Sequence, residues 1–229
     1  MRKLSDFYIT DEQLIKRVER RLSSVTLIVV EEGLYDVVGD VIFGSLRINS
    51  LLKIMDALKE LVGSKVPVRI GRVYGDFDCS DNNLTDLKGA PERVEGNFEC
   101  HLSHLETLEG APEYVGGNFI CWINHLTDLR GAPQYVGVSF DCSHNQLISL
   151  VGAPKYIRGD FKCDHNHLQT LQGAPEKVDG DFNCSHNMLI SLEGAPKYVG
   201  EKFICSFNPK KFTEEEVRKL INVGGEIRV

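Results

Sequence analysis

The chain has no excess of basic residues, no long apolar run and, through its first 75 residues, neither cysteine nor histidine. Lys and Arg number 26 against 33 Asp and Glu, a formal charge of −7. A sequence-independent nucleic-acid binder needs a basic face to displace counterions, so direct nucleic-acid binding is not expected. No stretch approaches the ~18 apolar residues of a membrane span. Residues 1–30 also lack the small-residue cleavage site that follows the apolar core of a signal peptide. The expectation is a soluble, cytoplasmic protein with no membrane partner. The missing Cys and His bear on chemistry, because the large non-repeating region then has neither the usual nucleophile nor the usual base. No phosphate-binding loop stands between a strand and a helix, so neither enzyme activity nor a cofactor is expected.

What the chain has is a strict repeat. Gly-Ala-Pro begins at Gly89, Gly110, Gly131, Gly152, Gly173 and Gly194, and the seven cysteines keep the same step from Cys79 to Cys205. A period in this range marks a solenoid, in which no coil buries its apolar face without its neighbours. Phe77 and Cys79 alternate with polar residues, as do Phe98 and Cys100 and their later copies, so each coil contributes a short strand to a parallel sheet. Asn82, Asn124, Asn145, Asn166, Asn187 and Asn208 follow three residues after the cysteine, with Ser103 as the exception, and two leucines come next. A buried Asn there can satisfy backbone groups of its own and adjacent coils. Gly-Ala-Pro is incompatible with a helix interior, so the return side should be extended or polyproline-like. The cysteines form a ladder of parallel side chains, which neither face each other for disulfides nor converge on an ion. They read as free thiols used as small core hydrophobes.

The segment from strand to second leucine resembles the leucine-rich repeat pattern L-x-x-L-x-L-x-x-N-x-L, with Val, Phe and Cys at the first three leucine positions. Its short coil and Pro-containing return side are similar to the short bacterial-effector type. The Gly-Ala-Pro variant resembles repeat proteins of tailed bacteriophages. The resemblance implies binding rather than catalysis, and an extra residue before the strand, as in Val94-Glu-Gly-Asn-Phe98, sets this chain apart from the short bacterial pattern. The expected fold is a β-rich, right-handed solenoid of about seven leucine-rich-repeat-like coils. Each coil carries one short parallel strand, and the stack is roughly 35 Å long.

The ends read as caps. Residues 1–70 form an α/β cap, 71–208 the repeats and 209–229 a helix-strand cap. In the first cap Thr10 and Gln13 make a capping box for a helix to about residue 24. Its apolar face is Leu14, Ile15, Val18, Leu22 and Val25, and its basic face Lys16, Arg17, Arg20 and Arg21. Gly39-Asp-Val41-Ile-Phe43 with Ile48 and Leu51 is a degenerate first coil, followed by a helix over 51–62. Thr213 and Glu216 form a second capping box, with Phe212 stapled to Val217, a helix to about Asn222 and a final strand over Glu226 to Val229.

Strand positions facing away from the core carry the functional expectation. The resemblance makes them the concave surface, and they hold Asp76, Asp78, Glu99, Asp141, Asp160, Asp164 and Asp181 against Lys162 and Lys202. Ile120 and Trp122, the only tryptophan, stand together in the middle as an exposed hot spot. The partner expected is a protein with a basic or mixed basic and apolar surface. The phage resemblance implies a protein that sequesters or inhibits a host defence or nucleic-acid-handling factor. The alternatives are a virion or assembly component, self-associating through the edge near Glu226 to Val229, and an enzyme using surface Asp and His. His144, His165 and His186 sit two after the cysteine, and His104, His125 and His167 four after it. Solvated turn histidines are the expectation there, ahead of a metal site.

Overall fold

The computed structural model describes residues 11–229. The chain winds into a β-solenoid whose coils keep the 21-residue step, and one core runs through it from Leu14 to Val223. Phe77, Phe98, Phe119, Phe140, Phe161, Phe182 and Phe203 are all fully buried. They pack in a row with ring centroids 5.1 to 5.6 Å apart, close to the spacing of neighbouring strands. Each buried ring of that size contributes about 1.5–3 kcal/mol relative to an exposed one.

Each coil carries two strands rather than one. Phe77–Asp78 and its copies build a nine-stranded parallel ladder that runs from Val41–Ile42 to Ile227–Arg228. The return side is extended, and within it Arg93–Val94, Tyr114–Val115 and their copies build a second ladder. This one is divided in two, with no pairing between Tyr135–Val136 and Tyr156–Ile157. The break falls beside Val138, which occupies the corner slot that Gly96, Gly117, Gly159 and Gly180 fill in neighbouring coils. Gly-Ala-Pro makes the other corner. Ala90 N–H donates to Leu87 O at 2.9 Å with Gly89 at φ 95°, the third position of a type II turn, which demands positive φ.

The recurring amides act between coils. Asn145 Oδ1 accepts from Leu126 N–H of the preceding coil, while Nδ2 donates to the Cys121 and Cys142 carbonyls. The same pattern recurs at Asn124, Asn166, Asn187 and Asn208. Ser103 departs from it, its hydroxyl accepting from Asn82 N–H.

Both ends modify a coil rather than abandon it. α1 (Asp11–Leu22) buries Leu14 and Val18, with Ile15, Leu22 and Val25 packed against the core; the Thr10 capping box lies outside the described residues. β1 (Thr26–Glu31) and β2 (Leu34–Val38) form an antiparallel hairpin, and β2 pairs in parallel with β4 (Arg69–Val73). β3 (Val41–Ile42) sits in the first place of the long ladder, with Val41 opposite Phe77. Phe43, Ile48 and Leu51 are buried. This first coil is offset from the next by 36 residues instead of 21, and α2 (Leu52–Val62) takes up the difference. At the other end α3 (Glu214–Leu220) starts at the Thr213–Glu216 capping box over buried Phe212 and Val217. It stops before Asn222, which is not helical but opens a strand, Asn222–Val223, on the second ladder. Ile227–Arg228 then closes the first.

Candidate functional site

Along the seven strands of the long ladder from Phe77 to Phe203, Phe and Cys point into the core, so the residues between and beside them share the opposite face. Pairing in register brings the candidate residues together in rows. One row reads Asp78, Glu99, Ile120, Asp141, Lys162 from coil to coil. All nine candidates, Asp76, Asp78, Glu99, Ile120, Trp122, Asp141, Asp160, Asp164 and Asp181, lie on this face and are half-buried.

The carboxylates have structural duties. Asp76 Oδ1 accepts from Asn97 N–H at 2.6 Å, Asp160 Oδ1 from Asp181 N–H at 2.9 Å and Asp181 Oδ1 from Lys202 N–H at 2.8 Å. Asn97, Asn118 and Ser139 do the same in the intervening coils, so this slot requires an acceptor, charged or neutral. Asp78 and Asp141 each accept from the N–H and hydroxyl of the serine two residues on. Lys202 Nζ also lies 3.4 Å from Asp181 Oδ2. Asp76, Asp78 and Glu99 concentrate the remaining charge at one end of the face. Burial there, and then the Asp78 charge, push the Glu99 carboxyl above its ordinary range.

Trp122 and Ile120 are half-buried, not exposed. His101 of the preceding coil stacks on the indole with centroids 4.7 Å apart and planes within 11°. His101 Nδ1 has no hydrogen-bond partner and lies 3.8 Å from Glu99 Oε2, beyond hydrogen-bond reach.

The exposed apolar surface lies one position further along. Asp81, Leu102, Ile123, His144, His165, His186 and Phe207 occupy the same slot of successive coils, all with φ between 48° and 58°. Leu102 and Ile123 are each 41% exposed beside His101 and Trp122, and Phe207 is 75% exposed. Left-handed backbone costs roughly 1–2 kcal/mol for L-residues and is least tolerable for a β-branched one such as Ile123. Asn or Gly would be the inexpensive occupants. Sequence reasoning passed over Leu102, Ile123 and Phe207 because this position reads as a permissive turn. The available signal was its run of large side chains.

The thiols and the aromatic row of the second ladder are committed. Burial holds the thiols of Cys79, Cys100, Cys121, Cys142, Cys163 and Cys184 well above their ordinary range, and raises that of Cys205, in the last cysteine-bearing coil, to about 11. Cys142, Cys163 and Cys184 donate S–H to carbonyls of the next coil. On the second ladder the Arg93 guanidinium lies 3.4 Å from the Tyr114 ring, and Tyr114 stacks on Tyr135, so these cover one another. Comparison with protein-family models, curated protein sequences and solved structures finds no match to the chain.

Proposed function

We propose that the protein is a non-enzymatic binding module that grips a protein partner on the outward face of the long ladder. The observation that carries this reading is the group formed by Ile120, Trp122, Leu102 and Ile123. These are large apolar side chains from two adjoining coils, two of them exposed on left-handed backbone, set in a face of seven carboxylates. Strained, exposed apolar residues that add little to the core are expected where a partner supplies the missing contacts. The acids select a basic rim on that partner and speed its approach. Protonated, buried thiols add support for binding over catalysis. The resemblance to phage repeat proteins supplies the finer reading, in which the partner is a host defence or nucleic-acid-handling protein whose basic site meets the acids.

Affinity capture from a host-cell lysate tests this, comparing wild type with Trp122→Glu at low and raised salt. A partner bound by wild type should be lost in the folded variant and weakened at least tenfold by salt. Capture unaffected by both changes overturns the proposal.

β1 favours a second reading, self-association. Among the described residues it is the edge of its sheet, and Ile28, Val29 and Val30 are all exposed. Two copies pairing antiparallel along β1 would cover them, in preference to the C-terminal edge. A molar mass in light scattering that stays at 25.7 kDa over a hundredfold concentration range excludes it.

A further inference from the structure

Three successive coils place a histidine two residues after the cysteine, and the fold turns that repetition into a cluster. His144, His165 and His186 share left-handed φ values of 52°, 53° and 50°. Their rings stack at centroid distances of 4.1 and 4.3 Å, and all three residues are exposed. They are therefore not independently solvated turn residues.

A second observation concerns Asp164. In the flanking coils its slot holds Ser143 and Ser185, whose N–H and hydroxyl turn back onto Asp141 and Asn183. In the middle coil the serine is replaced by Asp164 and the acceptor by Lys162, so that local pair is absent. The carboxylate is turned to the histidines instead. Its Oδ2 lies 2.9 Å from His165 Nδ1, and its Oδ1 accepts from Asn183 Nδ2 at 3.0 Å. One ligand atom each from His144, Asp164 and His165 fall within 4.8 Å of one another, the one such trio found among the described residues.

We propose that His144, Asp164 and His165 form a site for a single divalent transition-metal ion of the zinc, nickel or copper class. Two imidazoles and one carboxylate suit such ions, whereas calcium and magnesium require more oxygen ligands. Metal–nitrogen and metal–oxygen bonds of about 2.0–2.2 Å place neighbouring ligand atoms roughly 3.3 Å apart in a tetrahedral site. Reaching that spacing from within 4.8 Å requires the exposed histidine side chains to rotate, His144 above all, since Asp164 and His165 already touch. The ion takes the place of the hydrogen between His165 Nδ1 and Asp164 Oδ2, and the ring hydrogen of His165 is then carried on Nε2. Three protein ligands leave a position open to water or to a side chain of a bound partner. His186, stacked on the other face of the His165 ring, confines that ring and is not a ligand.

Calorimetric titration of the full chain with zinc chloride, repeated with cobalt and read by visible absorption, tests the site. The expected result is one ion per chain and the absorption of cobalt in a low-symmetry site. Asp164→Asn and the double variant His144→Ala/His165→Ala should each weaken binding at least tenfold. His104→Ala/His125→Ala alters a separate edge-on pair 5.4 Å apart and should leave binding unchanged. Circular dichroism establishes that each variant is folded. Heat no greater than the buffer control, or affinity retained in the His144/His165 variant, overturns the proposal, as does equal loss in the His104/His125 variant.

Discussion

Replacing Asn145 by alanine isolates what the amide ladder contributes. The residue is 7% exposed, and its side chain holds Leu126 N–H at 3.1 Å, the Cys121 carbonyl at 3.1 Å, and the Cys142 and Ser143 carbonyls at 3.2 Å. The carbonyls keep other donors, since Asn124 also reaches Cys121 O and Asn166 reaches Cys142 O. Leu126 N–H is left without this acceptor in the core, which costs about 1–3 kcal/mol, and thinning the shared carbonyls brings the total to about 2–4 kcal/mol. Asn208 makes the equivalent bonds at the end of the stack, where it is only partly buried and water can replace them. Asn208→Ala should therefore cost about 1 kcal/mol. Asn145→Asp keeps the acceptor but buries a carboxylate against three carbonyls. Its folded pKa is then raised, so stability is retained in acid and lost as pH rises through that value. Urea unfolding of wild type and the three variants measures all of this. Loss below 0.5 kcal/mol for Asn145→Ala, or equal losses at 145 and 208, would refute the reasoning.

Glu99→Gln tests the raised carboxyl. The folded pKa exceeds the unfolded one, so what this group contributes is present in acid and disappears as pH rises above the ordinary value of 4.5. The variant should be the more stable protein at pH 7 and lose that advantage in acid, as read by melting temperature; a constant difference across pH speaks against burial as the cause. His101→Ala removes the ring on the single tryptophan, at a cost of about 0.5–1.5 kcal/mol. Emission should shift to the red and quench more readily with acrylamide, and an unchanged spectrum would mean that the stack does not persist in solution.

Much of the fold was legible because the same residue performs the same task in every coil. Phe, Cys, Asn and the two leucines recur at fixed offsets, and even the first coil, stretched by α2, was readable from Val41, Phe43, Ile48 and Leu51. The second strand was not, because a two-residue pairing at Tyr-Val leaves no alternation long enough to see. Nor was the strand at Asn222, where the helix pattern overran the turn required to reach the ladder.

The site was harder to read, for a reason inherent in solenoids. A side chain that points away from the core still has an equivalent neighbour about 4.8 Å away in the next coil. Outward is therefore not the same as free. Trp122 leans on the residue 21 places before it, His101, and Asp76, Asp160 and Asp181 accept backbone N–H groups exactly as neutral Asn97 and Asn118 do. A slot filled interchangeably by Asp, Asn and Ser reports a requirement for an acceptor and says little about charge. Departures from a slot's usual occupant carry more. Asp164 where four of the seven coils have serine, and Leu102 and Ile123 on left-handed backbone that suits Asn or Gly better, depart from local preference without a gain to the core that would explain them. Such breaks are where selection for binding can be distinguished from selection for stacking.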